Sequence, residues 1–357
     1  MKIGIIGLAN SGKSTIFNAL TGQNVPATAY PTAEGKPHIG MVKVPDERIK
    51  RLTEMFNPKR SVLATVEYVD YLGITRGDAR QNRKVIDMIK DVDAVVHVIR
   101  EFDDDSVAHP LGDVNPERDA ETVELELILS DLELIDTRLR GMKEVGKRGK
   151  KQNEEERHVL LRCKEVLEQE IPLRRLDFSE EENIAMRHLQ FISIKPEVML
   201  VNIHEGSLGR EGITEQDVLA KKFKLPVVSS AGKIEMEIAQ MSDAEAEGFL
   251  KDLGIEERAM YRLIHVCYEH LGLISFLTVG KDEVRAWTVE RGTVAQKAAG
   301  KVHTDIERGF IRAEVVSFKD FIECGSVAEA RKKGLVRLEG KTYQVQDGDM
   351  IDFRFSV

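Results

Sequence analysis

Cysteine is scarce in this chain: Cys163, Cys267 and Cys324 are the only three in 357 residues. They are odd in number and far apart. They therefore form neither a zinc-ligand set nor a disulfide framework, a usage that suits a reducing compartment. No apolar run approaches the ~18 residues a membrane span needs. The N-terminal apolar stretch is short and leads straight into Asn10-Ser11-Gly12-Lys13, with no cleavage-like segment. The expectation is a cytoplasmic protein without signal peptide or membrane contact. An excess of positive charge is missing too. The formal net charge is −9, which argues against coating nucleic acid with the whole surface and leaves room for a local basic patch. Tryptophan occurs once, Trp287, read as core or interface anchor with core favoured. At 42% apolar and 32% charged residues, the chain is ordinary in composition and long enough for two or three domains with real cores.

Glycine, by contrast, is placed with purpose. An apolar run over residues 3–8 is followed by Gly7-x-x-x-x-Gly12-Lys13-Ser14. This is the P-loop order of strand, glycine loop and helix. Such a loop wraps a polyphosphate with its own N–H groups, and Gly7 and Gly12 let the backbone turn and approach without a Cβ. Asn10, Ser11, Gly12, Lys13, Ser14 and Thr15 are the candidate phosphate-binding residues. Lys13 can reach the β- and γ-phosphates and the Ser14 hydroxyl can sit on Mg²⁺.

The residues after the following helix (24–40) are too rich in Pro, Gly and small side chains to be helical. Residues 38–44 and 63–69 read as strands, with a short helix at 49–56 between them. The second strand ends in Asp70-Tyr71-Leu72-Gly73. Asp70 can hold Mg²⁺ and the Gly73 N–H can meet a γ-phosphate. Ile74 stands where many proteins of this layout carry a water-orienting Gln, and its side chain cannot make that hydrogen bond. His97, inside the buried strand 93–99, is expected to be a satisfied core histidine. Asp103-Asp104-Asp105 lacks the glycine and ligand spacing of a metal loop and reads as solvated.

From residue 119 the period changes. Leu125, Ile128, Leu132, Ile135, Leu139 and Met142 alternate at three and four residues, an a/d seam. Leu160, Cys163, Leu167 and Ile171 line a second helix, so an antiparallel helical hairpin is expected. Residues 138–164 contain ten Lys/Arg and four Glu, gathered around Lys147, Arg148, Lys150 and Lys151. Such a cluster is either a solvated face or a phosphate-contacting arm for RNA. Its place at the tip of a projection favours the second.

After a further helix (180–191), another buried strand ends in Asn202-Ile203-His204-Glu205. Guanine-specific P-loop proteins carry Asn-Lys-x-Asp there, the Asp accepting from guanine's N1–H and 2-amino group. The longer Glu205, with Ile203 in place of Lys, weakens that selection, while Asn202 can still address N7 and the neighbouring exocyclic group. The next strand ends in Ser230-Ala231-Gly232, a loop able to close over the base. Helices are expected at 233–249 and 256–271. Residues 275–357 read as a small α+β domain: strands at 276–279, 284–289, 310–316, 341–345 and 349–355 around one helix at 293–299.

The P-loop Gly7-Leu-Ala-Asn-Ser-Gly-Lys-Ser-Thr15, the Asn-x-x-Glu tetrad and the helical insert resemble the Obg-like ATPase (YchF) family of the TRAFAC P-loop NTPases. So, most specifically, do Glu283-Val-Arg-Ala-Trp-Thr-Val289, residues 306–315, Glu339-Gly-Lys-Thr-Tyr343 and residues 347–357, which look like that family's TGS domain. The resemblance covers nearly the whole chain. It implies an α/β architecture: a Ras-like P-loop NTPase domain (1–118 and 192–272), an inserted antiparallel coiled-coil hairpin (119–191) and a C-terminal β-grasp (TGS) domain (275–357). It also implies ATP preferred to GTP, Mg²⁺-dependent hydrolysis, ribosome or rRNA association, and a hydrophobic residue replacing the water-orienting Gln. The switches depart from the family pattern. Its Tyr-Pro-Phe-Cys-Thr-Ile-Glu-Pro-Asn is here Tyr30-Pro-Thr-Ala-Glu-Gly-Lys-Pro-His38, so the family's Thr falls on Glu34, with Thr32 nearby. The expected function is therefore a slow, monomeric ATP-hydrolysing switch in which Lys13 and Gly73 serve catalysis. Its rivals are a GTP-specific GTPase and a binding module without turnover.

Overall fold

The apolar runs form the middle of a parallel sheet. The computed structural model describes residues 1–26, 37–147, 153–208 and 214–356, the side chains of 79, 145–147 and 243 excepted. In chain order the first elements are β1 (Lys2–Ile6), α1 (Lys13–Thr21), β2 (His38–Lys43), α2 (Glu47–Phe56), β3 (Arg60–Val62), β4 (Thr65–Asp70), α3 (Ala79–Ile89) and β5 (Ala94–Arg100). Then come α4 (Pro116–Lys147), α5 (Glu154–Leu167), α6 (Glu180–Met186), β6 (Glu197–Asn202), α7 (Glu215–Phe223), β7 (Val227–Ser230), α8 (Gly232–Ile238), α9 (Asp243–Asp252) and α10 (Ala259–His270). One six-stranded sheet has the order β2-β4-β1-β5-β6-β7. β1 runs parallel to β4 and β5, and β5, β6 and β7 continue in parallel. Every residue of β5 and β6 is buried, as a sheet covered on both faces demands.

Two compact units divide the chain: Met1–Met41 with Glu67–Leu263, and Val42–Val66 with Ile264–Val357. The sequence reading assigned 42–66 to the NTPase domain. The strand expected at 63–69 is β4, starting at Thr65; an additional short strand before it, β3, pairs with the C-terminal segment, Arg60 opposite Glu283. Arg48 on α2 reinforces this by bridging Asp46 and Asp347, each at 2.8 Å.

In the first unit α4 and α5 run antiparallel, since Arg138 meets Glu156 and Asp136 meets Lys164. Ile128, Ile135, Val159, Leu160, Cys163 and Leu167 are fully buried between them and their neighbours. Leu125 is not part of that seam: it is 38% exposed. Val123 and Leu127 turn inward at this level, joining Ile6, Leu8, Val69 and Ile74 over the sheet, and Leu125 points away. Two helix boundaries also differ. The helix expected at 180–191 ends at Met186. The one expected at 233–249 is two, because Ser242 starts a new helix with a capping box to Glu245.

The second unit adds β8 (Leu273–Val279), β9 (Glu283–Glu290), α11 (Ala295–Val302), α12 (Thr304–Arg308), β10 (Phe310–Ser317), α13 (Phe318–Cys324), α14 (Val327–Lys332), β11 (Arg337–Glu339) and β12 (Asp349–Phe355). Its sheet order is β11-β10-β12-β8-β9-β3. Four helices stand where one was expected. Residues 341–345 form no strand; their carbonyls and amides meet the start of α11 instead, Ala295 N donating to Tyr343 O at 2.7 Å. Trp287 stacks on Phe276 in the core, ring centroids 6.3 Å apart, and donates to Thr278 Oγ1 at 2.9 Å. No helix among the described residues is long and apolar enough to cross a membrane.

Candidate nucleotide site

Parallel strands open their C-terminal ends to ligands where the order reverses about the first strand. Here β1, β4, β5, β6 and β7 deliver their following loops to one cavity of about 630 Å³. All its lining residues belong to the first unit.

The phosphate end is built on backbone. Gly12, at φ +92°, caps α1, and a Cβ there would lie 2.2 Å from Asn202 Nδ2. Only glycine fits a left-handed residue so closely covered. Asn10 also takes a positive φ of 61°, tolerable for Asn, and its amide ties the loop to Ala108 O at 3.0 Å. Lys13 is buried, with Nζ donating to Leu8 O at 2.7 Å. Ser14 Oγ donates to Asp70 Oδ2 at 2.7 Å. Burial pushes the Lys13 ammonium down to about 8, the Asp70 charge opposing. Burial pushes the Asp70 carboxyl up, with the Ser14 hydroxyl and Lys13 opposing. Both charges are thus held in a dry place that a polyphosphate and a cation would complete. Asp70 Oδ1 is buried with no hydrogen-bond partner among the described residues. An orphaned carboxylate oxygen beside a serine hydroxyl is a hard-oxygen donor set that fits Mg²⁺.

Gly73 rests on the P-loop: a Cβ there would come within 2.6 Å of Ala9 N and Cα. Gly73 lines the cavity, and its amide has no hydrogen-bond partner among the described residues. The next residue clamps the loop through its backbone, Ile74 N donating to Gly7 O at 2.9 Å and Ala9 N to Ile74 O at 3.2 Å. The Ile74 side chain is fully buried in the core, turned away from the cavity. Thr15 lines the same end. Ser11 does not: it is buried, and its carbonyl is what the site uses.

At the base end Asn202 is the joint. Its Nδ2 donates to Ser11 O at 3.1 Å, and its Oδ1 accepts from Gly232 N at 3.1 Å. Asn202 therefore braces the P-loop against the loop after β7, with one Nδ2 hydrogen left for a base. Ile203, Glu205 and Ala231 line the cavity, Glu205 as an exposed carboxylate opening a short 3-10 turn. Ser230, expected to close over the base, lies buried within β7 and off the cavity wall. Gly232 opens α8, where a Cβ would meet Ile16 Cδ1 at 2.7 Å and Asn202 Oδ1 at 2.8 Å.

Several lining residues were not anticipated at the site, among them His38, Phe102 and Lys233, and also Asp103 and Asp104, read from the sequence as merely solvated. His38 lines the cavity with Nδ1 3.9 Å from Asp70 Oδ2; its only sequence signal is its place at the end of the loop after α1. Phe102 and Lys233 flank the base end, Phe102 stacked under the Arg100 guanidinium at 4.4 Å. Lys233 immediately follows the Ser230–Gly232 stretch, a signal that was available. His97 is a core histidine as expected, its Nδ1 3.0 Å from Glu197 Oε1 in a buried setting. Glu34, Thr32, Arg148, Lys150, Lys151 and the side chain of Lys147 lie outside the described residues.

Residues 2–135 match a family model described as a 50S ribosome-binding GTPase, and residues 273–356 match the C-terminal YchF-GTPase model, described as a protein of unknown function. The chain is 40% identical to the ribosome-binding ATPase YchF of Bacillus subtilis, over 99% of each chain. It is 38% identical to the protein of the same name from Escherichia coli O157:H7, over 100% of this chain and 99% of that one. Among solved structures, the YchF GTPase of Schizosaccharomyces pombe superposes with a TM-score of 0.84 at 29% identity, covering 99% of this chain and 97% of that one.

Proposed function

The chain belongs to the YchF family, and from that premise we propose that it is an ATP-binding, slowly ATP-hydrolysing switch that associates with the ribosome. The observation that carries this is the Ser14–Asp70 pair beside buried Lys13, with one Asp70 oxygen unsatisfied. Ser14 and Asp70 would hold Mg²⁺, which when bound neutralises phosphate charge in the reaction. Lys13 and the Gly73 amide donate to the γ-phosphate oxygens as charge shifts toward the leaving ADP. The attacking water's oxygen bonds to the γ-phosphorus while the bond to the β,γ-bridging oxygen breaks. That electron pair stays on ADP, and both water protons end on the released phosphate. Ile74 offers this water no hydrogen bond, in keeping with slow turnover.

Ile203 and Glu205 in place of Lys and Asp support ATP over GTP. Equilibrium competition of ATP against GTP tests this: GTP binding more tightly than ATP would overturn the reading of Glu205. Turnover with Mg²⁺ that Lys13→Ala abolishes would exclude a module that only binds. The relatives' printed name, ribosome-binding ATPase, supports association with ribosomes. The basic cluster Lys147, Arg148, Lys150 and Lys151 at the tip of the 119–191 hairpin and the TGS-like domain (275–357) are the proposed contacts. We place the protein in the cytoplasm, as a monomer. Co-sedimentation with bacterial ribosomes, repeated with those four residues neutralised, tests the first of these contacts.

A further inference from the structure

Directly after the γ-phosphate-facing Gly73 the chain carries an unusual density of cations: Arg76, Arg80, Arg83 and Lys84, all exposed. Arg83 is paired with Glu133, and Asp78, the one acid among them, is occupied as the N-cap of α3, accepting from Gln81 N. Arg76, Arg80 and Lys84 make no ion pair or side-chain hydrogen bond among the described residues, in a protein with a net charge of −9. Arg80 and Lys84 stand four residues apart on α3, a like-charge pair that costs the helix stability. Three unneutralised cations kept together at such a cost point to an anion supplied from outside.

Their platform is ordered. Thr75 is held from both sides by Asn82, whose Oδ1 accepts from Thr75 N at 3.0 Å and whose Nδ2 donates to Thr75 O at 2.7 Å. Glu126 of α4 closes the arrangement, accepting from Asn82 Nδ2 at 2.8 Å and from Gly77 N at 3.3 Å. One residue before Thr75, the backbone of Ile74 is bonded to Gly7 and Ala9 of the phosphate loop. The cations therefore sit on a frame fastened to both the cradle and the helical arm.

We propose that Arg76, Arg80 and Lys84 form a contact surface for the phosphate backbone of RNA. This rests on the ribosome-association reading above and names a surface for it distinct from the 147–151 cluster. The chemistry favours nucleic acid over an acidic protein. Protein interfaces centre on buried apolar or aromatic anchors; residues 75–84 carry no exposed large hydrophobic side chain, the exposed Leu125 and Leu129 lying on the neighbouring α4. Phosphate contacts need only charge and donors, which the Arg forks supply bidentately. One helical turn separates Arg80 from Lys84 by about 6 Å along the axis, of the order of the spacing between successive phosphates on a strand.

The test uses the full chain, with ATP and Mg²⁺, against purified bacterial ribosomes and against total ribosomal RNA extracted from them. Wild type is compared with the triple variant Arg76→Gln, Arg80→Gln, Lys84→Gln. The three side chains are exposed and outside the cavity, so ATP binding serves as the check on folding. The expected result is a salt dependence of rRNA binding shallower by about 2 in log–log slope, and about a hundredfold weaker binding at ~0.1 M salt, with ribosome binding weakened in parallel. An unchanged slope and affinity overturn this surface while leaving ribosome association standing. Loss of ribosome binding with rRNA binding intact overturns it in favour of an acidic protein partner. Wild-type protein that sediments with neither ribosomes nor rRNA overturns both this surface and the reading it rests on.

Discussion

The nucleotide cradle and the α4–α5 helical pair solve the same problem, fixing one piece of chain against another, with opposite means. The cradle is held by backbone: Gly12 under Asn202, Gly73 against Ala9, and Ile74 hydrogen-bonded to Gly7 and Ala9. The helical pair is held by side chains, a buried seam closed by ion pairs such as Arg138–Glu156. A backbone contact has no spare volume, so one added methyl breaks it. A side-chain seam yields in proportion to what is removed. The two regions should therefore respond to mutation on different scales, and the following changes test that ordering.

Gly12→Ala is the severest. It puts a Cβ 2.2 Å from Asn202 Nδ2 on a residue at φ +92°. Strain and clash together cost about 3 kcal/mol or more, so ATP affinity falls by over a hundredfold in equilibrium binding. The helical content from α4 and α5 is retained by circular dichroism. Asn202→Ala comes next. It strands Ser11 O and Gly232 N, which among the described residues are served only by this side chain. Two buried, unpaired backbone groups cost about 2 kcal/mol, read as a lowered melting temperature and roughly thirtyfold weaker ATP binding. Asn202→Asp keeps the acceptor for Gly232 N, loses the donor to Ser11 O, and falls between. If Asn202→Ala left ATP affinity untouched, the brace between the two ends of the cavity would be of no consequence.

The cradle was legible in the sequence because its parts are contiguous. Gly7 to Thr15 encodes its own shape, and Asp70 and Gly73 follow at a fixed reach. Asn202 was read from the sequence as a base contact; its role as a brace was not legible, since its partner Ser11 O lies 191 positions away and nothing in a tetrad states which backbone group its amide meets. His38 was missed for a like reason: approach to Asp70 is a property of the sheet, not of the loop's composition. The helical pair was legible through its period. The period says which residues share a face and not what each turn of that face meets, so Leu125 was placed in a seam that begins only at Ile128. That β3, within 42–66, joins the second sheet was not legible, because it finds its partner in β9, more than 220 residues on, a pairing no local pattern carries.

A smaller effect on the helical pair is read by pH. Arg138 donates to buried Glu156 through Nε and Nη2 at 2.6 and 3.0 Å, and this bonding, with His188 assisting, holds the Glu156 carboxyl below its usual value of 4.5. A carboxyl lowered by folding adds stability that is fully present above that usual value and is lost as pH falls through the folded-state value. Arg138 is nearly half exposed, so screening keeps the contribution near about 1 kcal/mol. Glu156→Gln should lower the melting temperature by about 2–4 °C at pH 7, and the gap to wild type should close as the pH falls below the usual carboxyl value and through the folded-state one. A gap independent of pH would mean that packing, not charge, is what Glu156 supplies.

The least effect is expected from Leu125→Gln, and it is the sharpest test of where the seam starts. By period alone Leu125 belongs with Ile128 and Leu132, and removing a buried leucine side chain costs about 2–5 kcal/mol. In the structure its neighbours Val123 and Leu127 are fully buried over the sheet while Leu125 is 38% exposed, and Leu129 one turn later is exposed as well. The first turns of α4 thus use a different face from the rest, because there the helix lies on the sheet and not on α5. A substitution on the outward face should change denaturant stability by no more than about 0.5 kcal/mol, with Gln preserving helix propensity. A loss of 2 kcal/mol or more would put Leu125 back in the seam and shift the start of the α4–α5 contact toward the sheet by one turn.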